Sequence, residues 1–442
     1  MVEAGIHYSA VVLGESPFSG DVHRSGYTYG GSWITAANKA EYMHLSPEVD
    51  DASLLSFHSI PRQEAVATPT GPLRVDLINP GVNYGAFLPD GDEYYQEPVQ
   101  NLAIQGIGRY LSATGRGPRD ILHAHHWTSA LAIRLANEAG MTTIFTPDML
   151  GPLNLRVGRS CSGLRFAVER NAMLDARYVT VNTNRERDTV SVLYSNTPEE
   201  QEQLLDKIVV MPPGINTHTF NPERATARRL EARAKLGIPH EANFVAITAG
   251  RLSVAKNFES AIEGWRIFAQ QNTDPGQYLV IVTNTSNDDD PYLRALLSRI
   301  DTLPANVKDS ILLRDFQSDP MNIYAAADVF VSASRLETYG STLSEAMSSG
   351  NPVAASGIYE YREQLGLTTG HGYTSPTEKL IVPLDDDPEV MGVGLARVLE
   401  HIKEQVSDAG RGIELREMMH QLGSRHSWER TARKLIELSQ TK

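Results

Sequence analysis

Two glutamates lie where a strand gives way to a helix in the C-terminal half of the sequence. Glu337 follows the apolar run 329–332, and Glu345 comes eight residues later, on the helix that a turn of small residues opens. Such a helix begins at the carboxyl end of a parallel strand, the edge where open α/β sheets bind phosphorylated ligands. The two carboxylates can accept hydrogen bonds from sugar hydroxyls on either side of a bound phosphate.

Two cations lie on a loop after another apolar run. Arg251 and Lys256 follow the predicted strand 244–248, five residues apart. The arginine fork can bind two oxygens, and lysine can act as a point charge. Together with the two glutamates, these cations predict a site for a diphosphate. The alternatives are a solvated loop for the cations and helix capping or ion pairing for the glutamates.

The elements that would position these residues alternate along the chain. Short apolar runs, separated by helical patterns, predict strands at 8–13, 121–123, 142–145, 178–181, 208–211, 244–248, 278–283, 311–313 and 329–332. This alternation is typical of doubly wound parallel sheets, and so many strands favour two sheets over one. We therefore predict an α/β fold with two Rossmann-like domains.

Prolines and a glycine mark the predicted boundary between the domains. The stretch 211–216 reads Met-Pro-Pro-Gly-Ile-Asn, and a new helix and strand follow it. We predict a first domain over residues 1–216 and a second over residues 217–415. The last segment, residues 416–442, contains an amphipathic helix that starts near Ser427 and Trp428, and we expect it to cross back to the first domain. We expect the first domain to bind an acceptor and the second to bind a phosphorylated donor.

Composition excludes several classes of protein. The 442 residues carry a formal net charge of −14, which argues against a nucleic-acid-binding surface. Cys161 is the only cysteine, so an intrachain disulfide and a cysteine-based zinc site are excluded. We find neither a signal segment nor an apolar run long enough to span a bilayer, and expect a cytoplasmic protein without integral membrane association. A homodimer is compatible with these features.

The aspartate triplets 288–290 and 385–387 each precede a proline, and we predict loops there rather than a metal site.

The sequence resembles the retaining glycosyltransferases of the GT-B fold, in the large family (family 4 type) of glycogen synthase, sucrose synthase and mannosyltransferase-like enzymes. The match is dense from about residue 118 onward and weak between residues 32 and 117. The segments that carry it are the Arg251/Lys256 loop with Glu337-x7-Glu345, the pair Gly30-Gly31, the strand end His123-Ala124-His125-His126-Trp127, the stretch 210–216 with Phe220-Asn221-Pro222, and Ser427-Trp428-Glu429.

The resemblance implies a role for each matching position. Glu345 would bind the ribose hydroxyls of a nucleotide and Glu337 the hydroxyls of the donor sugar, while Arg251 and Lys256 would stabilise the departing diphosphate. The remaining binding positions are the amides of Gly30 and Gly31 and of Tyr339, Gly340, Ser341 and Thr342, together with backbone groups at Arg314 and Phe316 for the base. For the three histidines at 123, 125 and 126, a structural role at the strand end is favoured.

One position departs from the family pattern. After the strand 142–145 the family carries a histidine that contacts the donor sugar, whereas Asp148 occupies that place here. Asp148 could make this contact instead. Alternatively, the acceptor needs little help in losing its proton, because in same-face transfer the leaving phosphate can take it. An acidic nucleophile such as a thiol or thione would need still less help. A non-catalytic member of the family is a third interpretation.

These observations predict a retaining, metal-independent glycosyltransferase that uses an NDP-sugar and a small polar acceptor, with two domains facing each other across a cleft. No cofactor is expected beyond the donor, for which UDP or GDP is favoured. Two alternatives stay open, a sugar-nucleotide epimerase of the same architecture and a nucleotide-sugar-binding protein without turnover. Neither the acceptor nor the sugar follows from the sequence.

Overall fold

The computed structural model describes residues 6–15, 31–57, 62–68, 71–78, 97–148, 150–154, 163–285, 290–317, 319–367 and 375–441. Gly30, Cys161 and the first two residues of the triplet 288–290 lie outside these ranges. The chain divides into two compact units. The first comprises residues 1–214 and 428–442, and the second comprises residues 215–427.

The first unit is built on an eight-stranded sheet in the order β3-β4-β2-β1-β5-β6-β7-β8, in which only the β3–β4 pair is antiparallel. The strands are β1 (Ile6–Glu15), β2 (Val49–Phe57), β3 (Arg62–Thr68), β4 (Gly71–Ile78), β5 (Ile121–His125), β6 (Thr142–Thr146), β7 (Tyr178–Val181) and β8 (Ile208–Val210). The helices are α1 (Gly31–His44), α2 (Glu97–Thr114), α3 (Leu131–Glu138), α4 (Gly151–Asn154), α5 (Gly163–Asp175), α6 (Asn184–Leu193) and α7 (Pro198–Lys207).

The second unit is built on a six-stranded parallel sheet in the order β11-β10-β9-β12-β13-β14. Its strands are β9 (Phe244–Ala249), β10 (Gln277–Val282), β11 (Ile311–Arg314), β12 (Val329–Ser332), β13 (Val353–Ser356) and β14 (Ile381–Val382). Its helices are α8 (Pro222–Lys235), α9 (Phe258–Gln271), α10 (Pro291–Asp301), α11 (Ala305–Lys308), α12 (Met321–Ala326), α13 (Ser341–Ser348), α14 (Tyr359–Gln364), α15 (Pro388–Ser407) and α16 (Ala409–Gly423).

Both sheets confirm the predicted α/β fold with two Rossmann-like domains. All residues of β9 are buried, as are all residues of β5 and β6. Strands of this kind are covered by helices on both faces of the sheet, so even their polar residues, such as His123 and Thr146, are buried. Side chains also set where helices begin. Asp290 and Asp387, the last residues of the two triplets, accept backbone N–H bonds at 2.8 Å and cap α10 and α15.

The end of the chain differs from the expected division at residue 416. Residues 416–427 group with the second unit, and only the helix α17 (Trp428–Gln440) groups with the first. Trp428 and Leu435 join the core cluster that includes Tyr8 and Met43, and the Trp428 ring stacks on Tyr42 at 6.5 Å. The physical reason is that α16 packs against α13 and α15, which fixes the last dozen residues before α17 to the second sheet.

A buried carboxylate ties the second sheet to its first helix. Asp328, which immediately precedes β12, accepts hydrogen bonds from Arg233 Nη2 at 2.8 Å, from the Val245 amide at 2.9 Å and from Arg229. Arg233 is itself buried, and burial lowers the pKa of its guanidinium even though Asp328 opposes the shift. Removing the Asp328 carboxylate would therefore leave the buried Arg233 guanidinium without its counter-charge.

We expect Asp328→Asn to lower the free energy of unfolding of the second unit by about 3 kcal/mol, because the buried Arg233 loses its counter-charge. Urea unfolding followed by circular dichroism measures this. Asp301→Asn is the matched control: its partner is Lys308 at 2.7 Å, both side chains are exposed, and the change should cost less than about 1 kcal/mol. Equal costs for the two variants would contradict the assignment of Asp328 as a structural anchor.

Candidate active site

The predicted site residues of the second unit meet where the strand order reverses. From β9 the chain moves outward through β10 and β11, then returns to place β12 on the other side of β9. The loops that follow β9 and β12 therefore lie side by side at the carboxyl edge of the sheet. In open α/β sheets this switch point is where ligands bind.

An ion pair joins the two loops. Lys256 Nζ donates to Glu337 Oε1 at 2.6 Å, and the two side chains are only 17% and 13% exposed. Gly250 permits this position of the lysine, because a β-carbon at Gly250 would lie 2.9 Å from Lys256 Cε. The glycine that follows β9 thus provides the space through which the lysine stem reaches the glutamate.

Glu337 is held by donors from three segments. Besides Lys256, Ser334 Oγ donates to Oε1 at 2.8 Å, and the Tyr361 hydroxyl lies 3.2 Å from the same oxygen. Burial and the charge of Glu337 raise the pKa of Tyr361, so its hydroxyl stays protonated. All these contacts fall on Oε1, and within the described residues no hydrogen bond to Oε2 is recorded. Oε2 is therefore the oxygen available to a ligand hydroxyl.

The backbone of the two loops is also tied together. The Arg335 amide donates to the Ala255 carbonyl at 2.8 Å, and Asn257 Nδ2 donates to the Ala333 carbonyl at 3.2 Å. Asn257 adopts a left-handed conformation with φ 53°, a region where Asn is the best tolerated residue after Gly.

Arg251 is exposed, and within the described ranges no ion pair engages it. Two cations, Lys256 in an ion pair and Arg251 exposed, thus lie on the loop that follows β9.

The helix α13 opens towards this edge without a side-chain cap. Its N-cap residue Gly340 has φ 90° and makes no capping hydrogen bond. The preceding turn is held from α14, where Gln364 Nε2 donates to the Tyr339 carbonyl and Gln364 Oε1 accepts from Ser344 Oγ at 2.7 Å. The first N–H groups of an α-helix carry a partial positive charge and bind anions when no side chain caps them.

Glu345 lies one turn inside α13. Tyr324 Oη donates to its Oε2, and burial raises the pKa of the Glu345 carboxyl to about 7. Burial and the neighbouring Glu345 in turn raise the pKa of Tyr324. With a pKa near neutral pH, the Glu345 carboxyl is only partly ionised, and a ligand that donates hydrogen bonds to it would favour its ionised form.

The side chains of the predicted base-binding segment have separate roles. Arg314 donates to the carbonyls of Leu236 at 2.6 Å and Leu313 at 2.9 Å, and so closes the end of α8. The Arg314 carbonyl accepts from the Thr283 amide at 3.0 Å, so both its side chain and its carbonyl have partners within the fold. Phe316 leaves a ring that is 37% exposed, and its amide donates to Asp315 Oδ1 at 2.9 Å.

The predicted site residues of the first unit lie at the carboxyl edge of the eight-stranded sheet. Gly30 is outside the described residues, and Gly31 begins α1. Asp148 follows β6 in a left-handed conformation with φ 57°, and its Oδ2 lies 3.3 Å from His125 Nδ1. His123 bonds to Tyr8 Oη at 2.9 Å and to Thr146 Oγ1 at 2.7 Å. Lys39 on α1 is 2% exposed beside this group.

Sequence reasoning missed the residues that hold the site residues in place. Tyr324, Tyr361 and Gln364 contact Glu345, Glu337 and the turn at Tyr339 from other helices. Lys39 approaches Asp148 from α1, 109 positions away along the chain. No local pattern signals such contacts, because each residue also fits its own helix as an ordinary core or polar position.

Comparisons with known proteins agree with this geometry. Residues 228–379 match the family model "Glycosyl transferases group 1". This match includes both loops and α13. The matched region and the similar proteins support a glycosyltransferase with the GT-B fold. The fold prediction is thereby confirmed, and the predicted resemblance to this family is supported.

The similar proteins include a glycosyltransferase and a sugar-phosphate synthase. A D-inositol 3-phosphate glycosyltransferase of Catenulispora acidiphila is 27% identical over 314 residues, which are 67% of this chain and 71% of the relative. Sucrose-phosphate synthase of Thermosynechococcus elongatus has a similar fold, with a TM-score of 0.71, 17% identity and 98% of each chain covered. So does HepE of Anabaena, solved with UDP and glucose, with a TM-score of 0.63, 15% identity and 98% coverage of each chain. Among the described helices of this glycosyltransferase, none has the length and apolarity to cross a membrane.

We expect Gly340→Ala to disrupt the turn before α13. A β-carbon there would overlap the Tyr361 ring and would also force an L-residue into φ 90°. The loss of stability should be about 3 kcal/mol, measured by urea unfolding. Gly366→Ala separates the two causes, since Gly366 has φ 74° but its β-carbon would meet nothing closer than Arg425 at 3.8 Å. It should cost about 1 kcal/mol. A Gly340 variant no worse than the Gly366 variant would show that the Tyr361 contact is unimportant.

Proposed function

We propose that the chain transfers a sugar from a nucleoside diphosphate sugar to a small polar acceptor, with retention of the anomeric configuration. The observation that carries the proposal is the Lys256–Glu337 pair beside the uncapped start of α13, at the switch point of the second sheet. A cation, uncapped backbone amides and a carboxylate that can accept hydroxyl groups occur together there. A sugar diphosphate requires this set of groups.

The diphosphate would lie against Lys256, Arg251 and the first amides of α13. When the bond from the anomeric carbon to the phosphate oxygen breaks, negative charge grows on the diphosphate and positive charge on the sugar. Fixed cations and amides aimed at the leaving oxygens lower the barrier, because they need no reorganisation during the reaction. Glu337 Oε2 would accept a sugar hydroxyl, and Glu345 would accept the ribose hydroxyls. Phe316 offers an exposed ring beside the backbone groups that would hold the base.

The surroundings of Glu337 bear on the route by which the anomeric configuration would be retained. A carboxylate with three donors around one oxygen is a poor nucleophile, since attack on the sugar would break its ion pair with Lys256. We therefore favour same-face transfer over a covalent glycosyl-enzyme intermediate. The name of the relative from Catenulispora acidiphila gives a polar acceptor, D-inositol 3-phosphate, and HepE was solved with UDP. These support a small polar acceptor and UDP, with GDP as the second choice of base; a thiol or thione acceptor is retained as a special case.

Nucleotide binding tests the proposal directly. Among UDP, GDP, ADP and dTDP, we expect one to raise the unfolding temperature, because a ligand at 100 times its Kd stabilises the folded state by about 2.7 kcal/mol. Lys256→Met keeps the apolar stem but removes the charge, and should weaken the binding about tenfold or more. Lys308→Met, at an exposed lysine, is the control and should leave Kd within about twofold. If none of the four nucleotides stabilised the wild type, the proposal would be wrong.

The pH dependence of donor affinity tests the role of Glu345. Its pKa of about 7 means that the carboxyl is mostly protonated at pH 6 and mostly ionised at pH 8. Ribose hydroxyls donate to the ionised form, so donor affinity should rise by about tenfold from pH 6 to pH 8. The nucleotide sugar is the right probe, because its diphosphate diester has no ionisation in that range.

Calorimetric titration of Glu345→Gln should give a Kd that does not change with pH, because the amide cannot ionise. The exposed Glu389→Gln should keep the wild-type slope. A slope that survives in Glu345→Gln would assign the titration to another group and remove Glu345 from the ribose contact.

A further inference from the structure

One tyrosine of the second unit contacts two parts of the candidate site. Tyr361 lies on α14, and its side chain is completely buried. Its ring packs against the turn before α13, since a β-carbon at Gly340 would overlap ring atom Cε1. Its hydroxyl lies 3.2 Å from Oε1 of Glu337, which follows β12. A single residue thus touches the uncapped start of α13 with its ring and the ion-paired carboxylate with its hydroxyl.

The hydroxyl of Tyr361 belongs to a short chain of hydrogen bonds that ends on Glu337. Ser332 Oγ lies 2.6 Å from Tyr361 Oη, while Ser334 Oγ lies 3.3 Å from Tyr361 Oη and 2.8 Å from Glu337 Oε1. Burial and the charge of Glu337 raise the pKa of Tyr361, so the hydroxyl keeps its proton at neutral pH. A carboxylate only accepts hydrogen bonds, so Tyr361 and Ser334 direct their protons towards Oε1, and Ser332 donates to Tyr361.

These donors fix the rotation of the Glu337 carboxylate. Oε1 accepts from Lys256, Ser334 and Tyr361, whereas no hydrogen bond to Oε2 occurs among the described residues. A lysine stem and a serine hydroxyl can rotate, but a tyrosine ring has only two side-chain torsions, and this ring is packed on all sides. The Tyr361 hydroxyl is therefore the most rigid of the three donors.

A buried tyrosine of the first unit shows the pattern expected of a purely structural bond. Tyr194 donates to Glu169 Oε2, which also accepts from the Gly151 amide at 3.0 Å, and Glu169 Oε1 accepts from Arg165 Nε at 2.8 Å. Both oxygens of Glu169 are thus satisfied within the fold. Glu337 differs, because its described donors all lie on one oxygen, and the other oxygen is left for a group from outside the chain.

The helix α14 also holds the turn before α13 at a second point. Gln364 Nε2 donates to the Tyr339 carbonyl, and Gln364 Oε1 accepts from Ser344 Oγ at 2.7 Å. Residues three apart lie on the same face of a helix, so Tyr361 and Gln364 face the turn together. Loss of the Tyr361 hydroxyl would leave the ring and Gln364 in place, whereas loss of the ring would remove one of the two supports.

We propose that Tyr361 is a positioning residue whose two contacts serve different halves of the donor, an inference that rests on the proposed glycosyl transfer. Its hydroxyl orients Glu337 so that Oε2 accepts a hydroxyl of the sugar, and thereby selects donors that carry a hydroxyl there. Its ring supports the turn whose amides would face the diphosphate. The hydroxyl thus contributes to recognition of the sugar, and the ring to recognition of the nucleotide.

Separate affinities for the two halves of the donor test the inference. The probes are the nucleoside diphosphate, among UDP, GDP, ADP and dTDP, that stabilises the wild type, and its conjugates with glucose, galactose and mannose. Calorimetric titration of Tyr361→Phe should give a Kd for the nucleoside diphosphate within about twofold of the wild type, because the ring remains. At least one conjugate should bind about tenfold more weakly, because a hydrogen bond to a charged group is lost.

Tyr194→Phe is the matched control, since it also removes a buried hydroxyl from a carboxylate. Both variants should lower the urea midpoint of unfolding, but Tyr194→Phe should leave the Kd of every probe within about twofold. The inference would be overturned if Tyr361→Phe weakened none of the conjugates, or weakened the nucleoside diphosphate as much as its conjugates. If the wild type bound none of the four nucleotides, the proposed function itself would be refuted, and the inference with it.

Tyr361→Leu tests the role of the ring. It removes the ring beside Gly340 as well as the hydroxyl, so it should weaken binding of the nucleoside diphosphate about threefold or more, in addition to that of the conjugates. A leucine variant that bound the nucleoside diphosphate as tightly as the wild type would contradict the support of the turn. If the leucine variant did not fold, the difference between the two affinities in Tyr361→Phe would decide.

Selection of one sugar hydroxyl gives a further readout. For the conjugate that responds, analogues that each lack one ring hydroxyl should reveal a single position at which the wild type loses about tenfold in affinity. In Tyr361→Phe the same analogue should lose less than about threefold, because groups in one hydrogen-bond network are not additive. Equal losses in both proteins at every position would show that Tyr361 does not act through Glu337, and the inference would be wrong.

Discussion

The ion pair between Lys256 and Glu337 holds together the two loops of the candidate site. These residues are 81 positions apart, yet each follows one of two strands that pair at the centre of the second sheet. The parallel order of β9 and β12 brings the loops to the same edge, and the salt bridge then fixes their relative position. Because the pair is largely buried, moving either side chain away would leave the other as a buried charge without its counter-charge. A ligand diphosphate would therefore meet a cation that is already in place.

The two units share a topology, but the charged groups at the carboxyl edges of their sheets differ. In the second, exposed Arg251, the Lys256–Glu337 ion pair and the uncapped start of α13 offer donors that an anion could accept. In the first, the buried Lys39 and the partly buried Asp148 lie near His125, and burial lowers the pKa of both Lys39 and His125.

The sequence was sufficient for the parts of the structure that depend on local pattern. Buried strands of parallel sheets are largely continuous apolar runs, so β1, the strands β5 to β12 and the two-domain α/β fold could be predicted, whereas β2, β3 and β4 were missed. The loop cations and the glutamate pair could also be found, since strand ends are visible in the sequence. Contacts between distant helices could not. Arg314 looked like part of a base-binding segment, and only the structure shows its side chain closing α8. Tyr361 supports Glu337 because β13 carries the chain back to it, and no spacing rule encodes such a return.

The two edges of each sheet treat buried carboxylates differently. At the amino edges, Asp328 takes bonds from two arginines and an amide, and Asp120 takes bonds from the His7 amide, the His7 ring and the Gly117 amide. At the carboxyl edges, Glu337 has all its described contacts on one oxygen, Oε1, and Asp148 Oδ2 lies 3.3 Å from Nδ1 of His125. Complete pairing stabilises a fold, whereas a buried acceptor without a donor costs it about 1–3 kcal/mol. A ligand hydroxyl could donate to Glu337 Oε2, so the incomplete pairing of this carboxylate, unlike the complete pairing of Asp328, leaves room for a role in binding.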